Sequence, residues 1–237
     1  MTAKQGYGWK ASLIVFGGFG LLLWIETRCL IPFLSNKTGL EPIIFWLLVA
    51  GLLSFLPMLV LSRILLKRET GEVKWPAVWS RLRFRALNRG DWCWTGASLV
   101  VAAVGSFALM KGVEWLTGAF ESQPPFMHLE PLGPGRYWIL LLWLPYWVLN
   151  IMGEEVLWRG VMLPGQEKAF GRHAWLVNGG LWALFHVAFG WQLLISMLPL
   201  LFILPLVVQR RQNSWIGVIL HAVVNGPSFI AIALGVM

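Results

Sequence analysis

The chain has 237 residues, of which 57% are apolar and 13% charged, with sixteen Trp and a mean hydropathy of +0.67. Soluble domains carry about 25% charged residues, so this composition excludes disorder and argues against a soluble globule, which could not hide that much apolar surface. The net charge of +8 reads as the basic cytoplasmic face of a membrane protein, and no nucleic-acid partner is expected.

A span takes roughly 20 apolar residues. Apolar runs at 11–33, 42–66, 93–117, 137–163, 173–190, 191–209 and 214–237 predict an all-α, polytopic membrane protein of seven transmembrane helices. An interfacial helix counted within these runs would make eight. The fifth and sixth runs meet near Gly190, and the segment 118–136, rich in Pro and Gly, predicts an extended outer loop. The first run is too long for a signal peptide core and has no small-residue cleavage site. Residues 1–237 are expected to form one membrane domain, with a basic cytoplasmic loop at 67–92 and a catalytic core at 137–237.

The basic residues orient the chain. With a cytoplasmic N-terminus, fourteen Lys and Arg fall on one side: Lys4, Lys10, Arg63, Lys67, Arg68, Lys74, Arg81, Arg83, Arg85, Arg89, Lys168, Arg172, Arg210 and Arg211. Only Arg28, Lys37, Lys111 and Arg136 fall on or near the other. This asymmetry places the N-terminus inside and, after seven spans, the C-terminus outside. The loop 67–92, with Trp75 and Trp79 among its charges, is expected on the inner headgroups of the bilayer, Arg toward anionic lipid. Cys29 and Cys93 lie near opposite ends of their spans, too far apart for a disulfide.

Ionisable groups inside a bilayer are costly and mark function by default. The fourth span holds Glu154, Glu155 and Arg159, the fifth Trp182 and His186, and the seventh His221 and Asn225. At 1.5 Å per residue, Glu154, His186, His221 and Asn225 lie roughly 15, 20, 10 and 16 Å from the inner ends of their helices. One cavity in the middle to cytoplasmic half of the membrane can hold all four. Glu155 and Arg159 share a face at i, i+4 and can neutralise each other. Glu154, turned about 100° away, is the expected free carboxylate. Trp182 can pack beside the imidazole of His186, and His221 and Asn225 can point at one spot.

This set suits hydrolysis. A carboxylate in apolar surroundings can take a proton from water, a His can orient that water, and a second His with an amide can donate to an oxyanion. Two His and one Glu also match a hydrolytic zinc site. Each motif alone has a structural reading: an ion pair for Glu155 and Arg159, helix–helix hydrogen bonds for the His, and backbone satisfaction next to Pro227 for Asn225. Glu26, Lys111 and Glu114 stand near predicted span ends, where long side chains snorkel. His128 and His173 are expected in solvent.

The motifs resemble those of the CPBP family of intramembrane proteases, which includes the Rce1-type CAAX prenyl endopeptidases and bacterial Abi proteins. Its pattern of EExxxR, an aromatic with a His four residues on, and HxxxN reads here as Glu154-Glu155…Arg159, Trp182…His186 and His221…Asn225. Trp182 stands where Phe is commoner. The resemblance implies Glu154 as the base, His186 assisting, His221 and Asn225 at the oxyanion, and Glu155 with Arg159 in support. It implies a membrane-associated substrate, prenylated in the Rce1 branch, and no cofactor, with zinc at the same residues as the alternative. A non-catalytic scaffold or bacteriocin-immunity protein is the competing class. A proton-relay transporter fits less well, because no inverted repeat is visible.

Overall fold

The computed structural model describes residues 6–71 and 75–236. Lys4 and Lys74, counted above for orientation, lie outside the described residues.

Among the described residues every regular element is a helix, without strands. The helices are α1 (Trp9–Thr38) and α2 (Pro42–Glu69), α3 (Trp75–Arg81), α4 (Arg89–Thr117), α5 (139–170), α6 (Ala174–Phe185), α7 (Trp191–Arg211) and α8 (Ser214–Ala233). Local signals set several ends. Asn88 and Asp91 form a reciprocal capping box at the start of α4. Asn213 caps α8 by accepting from the amide of Trp215. Pro42 opens α2 at a position where a missing N–H costs nothing. Three helices widen into π turns, at Glu26–Leu30 in α1, Trp46–Phe55 in α2 and Glu155–Met162 in α5.

Among the described residues six segments are long and apolar enough to cross a membrane, so the protein is a polytopic helical membrane protein. The sequence predicts seven. The difference lies in Ile139–Phe189, which contains both the fourth and fifth predicted runs. That segment doubles back at Gly171, whose φ of +56° favours glycine. The fold-back is evident from Asn178 Nδ2 donating to Trp158 O across 3.1 Å. The returning arm has only the 12 residues of α6 and a tight turn at His186–Phe189, too short to qualify by itself.

Helix ends gather at two poles. At one, the amide of Tyr7 donates to Gly165 O (2.9 Å), Arg81 pairs with Glu69 (2.7 Å), Arg83 with Glu167 (2.6 Å) and Arg211 with Asp91 (2.8 Å). At the other, the amide of Leu132 donates to Ala233 O (2.8 Å), that of Glu121 to Gln192 Oε1 (2.6 Å), and Arg136 pairs with Glu41. The segment 118–136 has no α-helix or strand; it turns at Pro124–Met127, where Met127 N–H donates to Pro124 O, and again at Pro134–Arg136. The segment 67–92 is not a simple loop: it contains α3. Its Arg81, Arg83 and Arg85 face carboxylates of the protein, and its Trp79 stacks on Trp215 (6.3 Å between centroids), tying it to α8.

Apolar side chains cover both the interior and the rim. Phe16, Leu23, Leu157, Trp158, Leu201 and Leu204 are fully buried, whereas Val100, Val101, Val104 and Phe107 of α4 point outward. An apolar exterior around a polar-bearing interior is what lipid demands. Glu26 corrects a sequence reading. Its helix continues to Thr38, so the carboxylate lies within the span. It is 1% exposed and accepts from Ser54 Oγ at 3.0 Å to each oxygen, with no room to snorkel.

Candidate active site

α5, α6 with the turn that follows it, and α8 bring a polar cluster together. Glu154 ends the regular part of α5 and Glu155 begins its π turn. α5 can approach α2 this closely because residue 153 is glycine. A Cβ there would lie 2.7 Å from Phe55 O and 3.2 Å from Phe55 Cα, a backbone clash that side-chain rotation cannot relieve.

The two adjacent glutamates serve different networks. Glu155 and Arg159, both 0% exposed, pair at 3.0 Å across one helical turn, as their spacing predicts. The same Glu155 Oε1 also receives His221 Nδ1 at 2.9 Å. The Arg159 guanidinium lies 3.5 Å over the Trp182 ring, a cation–π stack that favours Arg in a dry site. Arg159 Nε and Nη2 and Glu155 Oε2 have no protein partner.

Glu154 is not the free carboxylate that the sequence predicts. Asn150 Nδ2 donates to its Oε1 at 2.8 Å, and Trp182 Nε1 donates to its Oε2 at 2.5 Å. Each oxygen keeps lone-pair capacity beyond those bonds, so the carboxylate is aimed rather than silenced. Trp182 thus does more than pack beside His186: its ring is edge-on to both His186 (5.4 Å) and His221 (5.3 Å), its face carries Arg159, and its N–H holds Glu154.

The imidazoles share one design. His186 Nδ1 is 2.9 Å from Trp182 O. A carbonyl only accepts, so Nδ1 carries the proton and Nε2 is left with a lone pair in the neutral ring. His221 Nδ1 faces a carboxylate, which fixes Nδ1–H there too. In both rings Nε2 remains for substrate or water. His186 is 5% exposed and His221 4%, and Phe189 stacks on His186 at 5.3 Å. Asn225, half-buried, donates to Asn150 Oδ1 at 3.4 Å.

All seven residues singled out from the sequence therefore belong to one connected cluster. His221 joins it through Glu155 rather than through Glu154. Asn150 is the addition. Its signal was present: a lone amide in an apolar run, four residues before Glu154 and so on the same helix face. Among the described residues no three His, Cys, Asp or Glu side chains are placed to share an ion. His128 is exposed, and His173 is exposed beside Arg172.

No curated protein and no solved structure matches the chain. Residues 136–226 match the family model described as type II CAAX prenyl endopeptidase, Rce1-like. That stretch contains Asn150, Glu154, Glu155, Arg159, Trp182, His186, His221 and Asn225. Over those residues the chain is similar to the Rce1-like type II CAAX prenyl endopeptidases.

Proposed function

We propose that the protein is an intramembrane endopeptidase that cleaves membrane-associated, prenylated CAAX-type substrates with a water activated by Glu154. The observation that carries this reading is the setting of Glu154. Two N–H donors from α5 and α6 aim its carboxylate, and the backbone carbonyl of Trp182 orients His186 beside it.

In this mechanism a water lies between Glu154 and Nε2 of His186. Glu154 takes a proton from it as the water oxygen bonds to the scissile carbonyl carbon, and the carbonyl π electrons move onto the oxygen. The oxyanion is met by Asn225 Nδ2 and by Nε2–H of a doubly protonated His221; Glu155 offsets Arg159, so the positive charge left on this trio faces the oxyanion. Collapse of the tetrahedral intermediate breaks the C–N bond, and Glu154 returns its proton to the leaving amine. Arg159 keeps Glu155 in place, and Trp182 holds the two networks in register. The whole chain acts as one membrane domain, with 137–237 as its catalytic helices.

The N-terminus lies in the cytoplasm and the C-terminus outside in this account. Support comes from the two poles: Lys10, Arg63, Lys67, Arg68, Arg81, Arg83, Arg85, Arg89, Lys168, Arg172, Arg210 and Arg211 belong to the Tyr7 pole, the side that anionic cytoplasmic lipid attracts. The site then lies near the middle of the bilayer, about 15 residues or 22 Å along α5 from its outer start.

The test is hydrolysis of a quenched farnesylated CAAX peptide by purified protein. Wild type is expected to cleave it and Glu154→Gln to be inactive with its fold intact. An active Glu154→Gln protein removes the glutamate from the mechanism.

A further inference from the structure

Among the buried polar atoms without a protein partner is one that the mechanism does not use, Trp147 Nε1. Trp147 lies on α5 three residues before Asn150 and seven before Glu154, on the same face of the helix. Its N–H edge rests against α8 just beyond Asn225: a methyl on Gly226 would lie 3.2 Å from Nε1. Asn225 Nδ2 is close by in sequence and has only the 3.4 Å contact to Asn150. Two amide-like N–H donors without a strong partner thus face the same α5–α8 seam, beside the carboxylate proposed as the base. The indole itself is half-buried. It stacks on Trp143 (5.5 Å), which stacks on Phe229 (5.1 Å, planes 5° apart). The seam is therefore walled by flat apolar rings and carries a donor without an acceptor. Gly226 and the helix-breaking Pro227 make it the place where α8 yields most easily.

We propose that Trp147 is a substrate-binding residue, its Nε1–H donating to a backbone carbonyl of the peptide as it enters between α5 and α8. This rests on the protease reading above. An extended peptide offers a carbonyl at every residue, and apolar side chains or a prenyl chain suit the ring wall. The buried donor lacks its acceptor in the free protein and gains one in the complex. Removing the N–H therefore weakens binding but does not weaken the fold.

The experiment compares wild type, Trp147→Phe, and protein with benzothienylalanine at position 147, which keeps the shape of the ring without the N–H. With the farnesylated CAAX peptide, both replacements are expected to raise KM about tenfold, with kcat and thermal stability retained. Unchanged KM in the benzothienylalanine protein overturns the proposal and leaves the protease reading standing. So does a loss of activity that merely follows a loss of stability in both replacements. Polarisation of the labelled peptide on the Glu154→Gln background separates the two ideas. Tenfold weaker binding without the N–H supports the contact whether or not Glu154 is the base. Cleavage that survives Glu154→Gln overturns the glutamate mechanism alone. Wild type that neither binds nor cleaves the peptide overturns both.

Discussion

Gly217→Ala tests how tightly the support of the site is built. Gly217 lies one turn before His221 on α8, and a Cβ there would fall 2.4 Å from Glu155 Oε2, 3.2 Å from Val208 Cγ2 and 3.3 Å from Leu204 Cδ2. Real Cβ atoms essentially never come within 3.0 Å, so the carboxylate must retreat by at least about 0.6 Å. It has little freedom to do so, because its other oxygen holds both Arg159 (3.0 Å) and His221 (2.9 Å). Overpacking of this kind costs about 1–3 kcal/mol. A misplacement approaching 1 Å in a catalytic constellation costs about a hundredfold in rate. Cleavage of the farnesylated peptide should therefore fall by about that factor, through kcat, while the protein still purifies as a folded species. The control is Gly180→Ala, where the added methyl meets nothing within 4 Å and helix propensity favours Ala; it should behave as wild type or better. Full activity in folded Gly217→Ala would refute the view that Glu155 positions His221.

Three further outcomes are expected. Trp182→Phe removes the N–H to Glu154 Oε2, a bond to a charged acceptor worth about 1.5–3 kcal/mol, so kcat should drop at least tenfold in the same peptide assay. Arg159→Met strands the fully buried Glu155 and should destabilise the protein by about 3–5 kcal/mol in a denaturation experiment, whereas Arg159→Met with Glu155→Leu should recover much of that loss. Prolonged chelation with EDTA should leave peptide cleavage intact, because the proposed steps use Glu154, two imidazoles and the Asn225 amide; a loss of activity restored by added zinc would contradict them.

The site was legible where chemistry lies within one helix. Glu155 with Arg159 follows from i, i+4 spacing, and the separation of Glu154 from Glu155 follows from the 100° step. What the sequence does not encode locally is how the helices are rotated against one another. That rotation gives His221 to Glu155, brings the Trp182 N–H to Glu154, and turns the expected free carboxylate into a doubly held one. The bundle was legible through its apolar runs, but the length of the fifth predicted helix was not. Hydropathy reads two runs around Gly171, while only the folded chain reveals that α6 is short and returns directly from α5. Glu26 was misplaced because α1 continues through Arg28 and Lys37 to Thr38. The apolar run ends sooner than the helix does, and a carboxylate near the end of the first lies inside the second.

The central claim is that Glu154 activates water for peptide hydrolysis. The most direct measurement is cleavage of a quenched farnesylated CAAX peptide and its unprenylated twin by detergent-purified protein, wild type beside Glu154→Gln. The account predicts cleavage of the prenylated peptide by wild type and none by the variant, with both proteins melting alike. Equal cleavage by the two proteins would contradict it.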